Sequence, residues 1–192
     1  MRTLYSVPII HIPAEFGSLR GAVTAMTTRV KGEAQTQEFF DAIAEYWRLV
    51  EKRIFQSELA SEEITPRTHI FIDSLPDLDP ATLKRIIGER VDMGIPCYTI
   101  ARALEHKGAH IHGTEDMRLL LQDQLYWYAV IHGGVPDISK EQSLLDDRDH
   151  AIARRINSCI PDEEYGLLFI GRFHDVEKKL HLIDPMMRFL NL

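Results

Sequence analysis

Apolar and polar positions change period several times along the chain, and the changes mark out alternating strands and helices. Leu4 to Ile12 is a short apolar run holding Pro8 and His11, and predicts a first strand. After Gly17 and Ser18, which offer a cap, the pattern turns helical to about Val30. From Glu33 to about Leu59, Thr36, Phe40, Ile43, Trp47, Val50 and Ile54 recur at spacings of three and four, an apolar stripe on one helix face. Its near-heptad spacing also suits a partner helix. Core packing is the commoner use of such a face, so the stripe is read as core-facing and a homodimer stays open.

His69 to Leu75 predicts a second strand, and Leu78-Asp79-Pro80 then starts a helix with an aspartate cap and proline at its first position. That helix runs to about Met93 and stops at Gly94, and Pro96 to Glu105 forms the next, ended by Lys107 and Gly108. Ala109 to Gly113 predicts a short third strand. Thr114 is the expected cap of a helix from Glu115 to His132, stopped by Gly133 and Gly134. A further helix over about Lys140 to Ile160 precedes the clearest buried strand, Tyr165 to Gly171, with its Leu-Leu-Phe-Ile core. A short helix and a tail without assigned structure follow. This alternation predicts an α/β fold: a mostly parallel central sheet of four or more strands flanked by helices.

With 192 residues, no internal repeat and no linker-like tract, the chain is expected to form a single domain. It is 45% apolar and 27% charged, ordinary globular usage. Its 22 basic and 29 acidic residues leave a net charge of −7, which disfavours nucleic acid and anionic membrane surfaces as partners. No apolar stretch reaches the roughly 18 residues needed to span a bilayer, and the opening residues show no secretory signal, so a cytoplasmic location is expected. Cys97 and Cys159 are far apart and form no CxxC, which predicts two buried, reduced thiols.

In an open parallel sheet, ligands bind beyond the carboxyl ends of the strands. That filter selects His11 and Glu15 after the first strand, Asp73 and Asp77 after the second, His112 and Glu115 after the third, and His174 and Asp175 after the fourth. Histidine nitrogen and carboxylate oxygen together suit a divalent ion such as zinc, manganese or cobalt, which activates water near neutral pH. The leading expectation is a metal-dependent hydrolase acting on an ester or peptide bond of a small molecule or peptide. In it His11 and His174 ligate the ion, Glu15 or Asp73 completes the shell, and Glu115 activates water. Without a metal, the same groups suit general acid/base work. In a non-catalytic alternative the pocket holds a small molecule or a haem-like group, with His112 or His174 as its axial or hydrogen-bonding contact.

Other features are read as structural. Gly133-Gly134 lacks the context of a phosphate-binding loop, and no GxSxG elbow occurs. Tyr126, Trp127 and Tyr128 wrap around their helix, so at least one faces a different environment from the others. Arg148, Arg154 and Arg155, intermixed with Asp146, Asp147 and Asp149, predict a solvated, salt-bridged face.

The C-terminal third, Arg148-Asp149-His150-Ala151-Ile152-Ala153 and then Gly166 through Gly171-Arg172-Phe173-His174, resembles the TraB/TIKI family and its erythromycin-esterase-like and ChaN-like relatives. In those proteins an Arg-Asn helix precedes a buried strand ending in GxxH. Gly171 and His174 match GxxH and Arg148 matches the arginine, while Asp149 replaces the asparagine. A second GxxH near the family's start is matched by His11 alone, without the glycine. The resemblance covers about the last 35 residues and, loosely, the first 20. It implies a site built from His11, His174, Arg148 and acids among Glu15, Asp73 and Glu115. The relatives' activities range from metal-dependent peptidase and metal-independent esterase to haem binding, so fold transfers better than function.

Overall fold

A computed structural model describes residues 1–12 and 20–192. Five strands form one sheet: β1 (Thr3–Ile9), β2 (Thr68–Ile72), β3 (His110–His112), β4 (Tyr165–Gly171) and β5 (Arg188–Asn191). Every pairing is parallel and the order is β3-β2-β4-β1-β5. The helices are α1 (Arg20–Lys31), α2 (Glu33–Gln56), α3 (Pro80–Asp92), α4 (Pro96–Glu105), α5 (Met117–Ile131), α6 (Ile138–Cys159) and α7 (Val176–Ile183). The expected α/β architecture is therefore present, and its sheet is wholly parallel. β5 is the strand that the sequence pattern did not predict. Its Arg-Phe-Leu-Asn has no bounded apolar run, and it is an edge strand paired only to β1.

Period-two alternation of the strands splits the core into two layers. On one face, Tyr5, Val7, Ile70, Ile72, Leu167 and Phe169 pack with α2, α3 and α4. The stripe on α2 is part of this layer: Thr36, Ile43, Trp47, Val50 and Ile54 are all buried. On the other face, Leu4, Phe71, Leu168 and Ile170 meet Ile152, Ala153 and Ile156 of α6 and Val176 and Leu180 of α7.

The chain leaves β2 toward the first layer and leaves β4 toward the second. Loops that part in this way open a crevice above the strand ends where two neighbours diverge. Here that point lies between β2 and β4.

Several boundaries moved for identifiable reasons. Thr114 does not cap α5. Its hydroxyl instead accepts the Ile72 N–H at 3.0 Å, and Asp116 caps the helix by accepting from Arg118 N–H and Leu119 N–H. Asp79 caps α3 as predicted, with Pro80 at the first position. Cys97 is buried, whereas Cys159, near the end of α6, is only partly so. Among the described residues no helix is long and apolar enough to cross a membrane.

Candidate active site

The segment after β2 is held against the segment after β3 by backbone bonds. Leu75 O accepts Thr114 N–H at 2.7 Å and Glu115 N–H at 3.0 Å, and Glu115 O accepts Asp77 N–H at 2.9 Å. The approach is so close that a Cβ on Gly113 would stand 2.4 Å from Asp77 Cα, so only glycine fits there. This zipper carries Glu115 inward to full burial and sets Asp73 at the crevice. Ser74, between them, takes a left-handed backbone with φ 63°, strained for a non-glycine residue and characteristic of functional loops.

Opposite stands the inward face of α6. Arg148 and Asp149 are buried in line with Ile152, Ala153 and Ile156, which anchor the helix on the sheet. The Arg148 guanidinium donates to Glu115 through Nε (3.2 Å) and Nη2 (2.6 Å), to Asp73 Oδ1 (3.1 Å) and to Asp123 Oδ2 of α5 (3.2 Å). Such a planar fork suits several carboxylates at once, which a lysine could not serve. Asp149 Oδ1 lies 2.5 Å from His174 Nδ1, and Oδ2 accepts the Asp175 N–H at 2.7 Å. One carboxylate thus fixes both the imidazole and the start of α7.

His174 Nε2 faces Asp73 Oδ2 at 3.5 Å. The same oxygen accepts the Gly171 N–H at 3.1 Å, and a Cβ on Gly171 would come within 2.9 Å of it. A side chain at position 171 would therefore press on the Asp73 carboxylate and displace it.

Four carboxyl groups, of Asp73, Glu115, Asp123 and Asp149, surround one guanidinium and one imidazole. Burial pulls the His174 pKa down, but the hydrogen bond to Asp149 and the charge of Asp73 outweigh it and hold it above the ordinary value. Burial likewise raises Asp73, and the His174 and Arg148 charges overcome it to leave that carboxyl below its usual range. For Glu115 burial prevails and its pKa is raised. Arg148, opposed by burial but bonded to Glu115, is held even more firmly protonated.

Comparisons with protein-family models, curated proteins and solved structures returned no match to this chain. The site therefore stands on its own geometry.

Of the residues expected from sequence, the structure brings Asp73, Glu115, Arg148 and His174 together. His11 lies in an adjoining cleft of about 210 Å³, lined also by Asp73, Ser74, Arg90, Cys97 and Tyr98, rather than in the cleft that His174 lines. Glu15 lies outside the described residues. His112 stands apart, its Nε2 2.8 Å from His69 Nδ1, while His69 Nε2 meets Glu164 at 2.6 Å. Among the described residues no group of three or more His, Cys, Asp or Glu side chains is arranged to hold a metal ion.

Two site residues escaped the sequence reading. Asp149 was placed with Arg148 on a solvated face, and both are buried. The signal was available, since Asp149, Ile152, Ala153 and Ile156 recur at helical spacing and lie on one face. Asp123 likewise falls between Leu120 and Tyr126, the buried residues of α5.

Proposed function

We propose that the protein is a hydrolase of ester or peptide bonds in which His174 transfers the proton. The observation that carries this reading is the arrangement of one imidazole at the sheet crevice: Nδ1 is held by Asp149, and Nε2 is turned toward Asp73. A carboxylate on Nδ1 fixes the ring's tautomer and orientation and stabilises the imidazolium once it forms. Neutral His174 takes a proton from water at Nε2, and the resulting hydroxide adds to the carbonyl carbon. The imidazolium then returns the proton to the departing alkoxide or amine. Arg148 acts as a positioning residue, holding Asp73 beside the imidazole while it also pairs with Glu115.

A zinc, manganese or cobalt ion would draw on Asp73 and His174, a borderline donor pair suited to such ions. Two donors fall short of the three protein ligands usual in catalytic sites. If held there, the ion would supply an activated water.

The test is turnover of a panel of carboxylic esters, lactones and dipeptides by the wild type and His174→Gln. Each is assayed in chelator and again with zinc, manganese or cobalt. Hydrolysis by the wild type and its loss in the variant are expected. Equal turnover by both proteins, or none by the wild type under any condition, would sink the reading and direct work to ligand binding instead.

A further inference from the structure

Helix α5 exposes what most helices bury. Leu120 and Tyr126 are its buried residues, whereas Met117, Leu121, Leu125, Tyr128 and Ile131 recur in steps of three and four on the opposite face, continued by Val135 after the helix. These six side chains are between 38% and 90% exposed. The helix carries two charged residues, Arg118 and Asp123, and Asp123 is turned inward to Arg148. A solvent-facing helix surface is normally charged or polar, and this one is an apolar seam interrupted by the exposed Gln124.

We infer that α5 is a homodimer interface, seated against α5 of a second copy in antiparallel orientation. At their exposures the six residues present at most roughly 700 Å² per copy, so with the flanking side chains the seam approaches the ~800 Å² per partner of a standard-size interface. A two-fold axis across the middle of the seam makes the surface complementary to itself, as an isologous contact requires. The charges agree with this orientation. Arg118, with its side chain 78% exposed, sits at the start of α5, and the last turn of α5 carries no basic residue. Antiparallel pairing sets each Arg118 beside the partner helix's negative C-terminal end. A lipid surface fits less well, because membrane-seated helices carry Lys and Arg along their polar flank. Here the charges beside the seam are mixed, Arg118 with Asp116 and Lys140 with Asp137, in a chain of net charge −7.

The long stripe on α2, the sequence's candidate for pairing, is consumed by the core, so the interface lies on a different helix. Because Asp123 holds Arg148 from the other side of α5, the dimer face and the polar cluster share one helix.

Sedimentation equilibrium of the full chain tests the inference. The wild type is expected to have the mass of two chains at about 10 µM. The double variant Leu125→Glu/Tyr128→Glu should have that of one chain, with its dimer weakened by about 100-fold or more. Circular dichroism should be unchanged in the variant, since both side chains are exposed. Leu49→Glu, on the exposed side of α2, should remain dimeric. A wild type that stays monomeric up to about 100 µM, or a double variant that stays dimeric, overturns the proposal, and so does a monomer that binds neutral vesicles instead.

Discussion

His112 ends β3 and His174 lies three residues beyond β4, and their surroundings drive them in opposite directions. Burial acts on both in the same sense, disfavouring the charged ring. At His174 two carboxylates, Asp149 and Asp73, reverse that effect and raise the pKa. At His112 nothing reverses it: burial is joined by the charges of His69, Arg155 and His110, and the pKa is pushed down to about 4. The sign of the neighbouring charge, more than depth, separates a histidine poised to exchange a proton from one kept neutral. The His69–His112 pair has the hydrogen bonds of a structural network, and the Asp149–His174 pair has those that the proposed proton transfer needs.

The largest break in this comparison should come from the two histidines themselves. His174→Ala is expected to lower hydrolytic turnover by about 10³-fold or more, in the range of lost general acid/base catalysis. His112→Ala should stay within about tenfold of wild type, and equal losses in the two variants would erase the distinction. Next in size is Arg148→Met, which leaves the buried Glu115 and Asp73 without their cation. A cost of about 3–5 kcal/mol is expected, since breaking a buried ion pair strands its partners. Denaturant unfolding measures it. Exposed Arg85→Ala, which breaks a surface pair with Glu89, should change stability by less than about 1 kcal/mol.

Asp149→Asn keeps the shape of the site but removes the charge on His174. Turnover should fall by about 10²-fold, and the His174 resonance in an NMR titration should move to a lower pKa than in the wild type. An unchanged titration would mean that Asp149 does not set the imidazole's charge.

The smallest effect concerns stability against pH, where the two rings carry opposite signs. The His112 value lies below that of the unfolded chain, so its contribution is full above about pH 6.5 and is lost as pH falls toward 4. For a partly exposed ring, screening reduces the loss to about 1–2 kcal/mol. The His174 value lies above that of the unfolded chain. Its contribution is full at low pH and is lost as pH rises through the raised value. In unfolding curves collected from pH 4 to 9, His112→Phe should flatten the acid limb and His174→Gln the alkaline one.

Much of the fold was legible because burial imposes a period. The α2 stripe, the Leu-Leu-Phe-Ile core of β4 and the Asp79-Pro80 start of α3 each declare themselves within a few residues. The site was legible in part. The strand-end rule found Asp73, Glu115 and His174 because the ends of parallel strands converge whatever the sequence. It could not separate His174 from His11 or His112, which satisfy the same rule but face other clefts and partners. Asp149 was hidden by composition, since a carboxylate among Asp146, Asp147 and Arg148 looks solvated until the helix face is known.

Local order, then, was determined largely by the sequence itself: hydrophobic period, caps and glycine stops act over one or two turns, and they settled the helices, four of the five strands and the α/β class. The tertiary structure alone decided which polar groups meet. His174 finds Asp149 across 25 residues, Arg148 finds Asp73 across 75, and Gly171 finds Asp73 across 98. Strand order β3-β2-β4-β1-β5 sets those meetings. Their charges take on value only when packing removes the water between them, which no local pattern records.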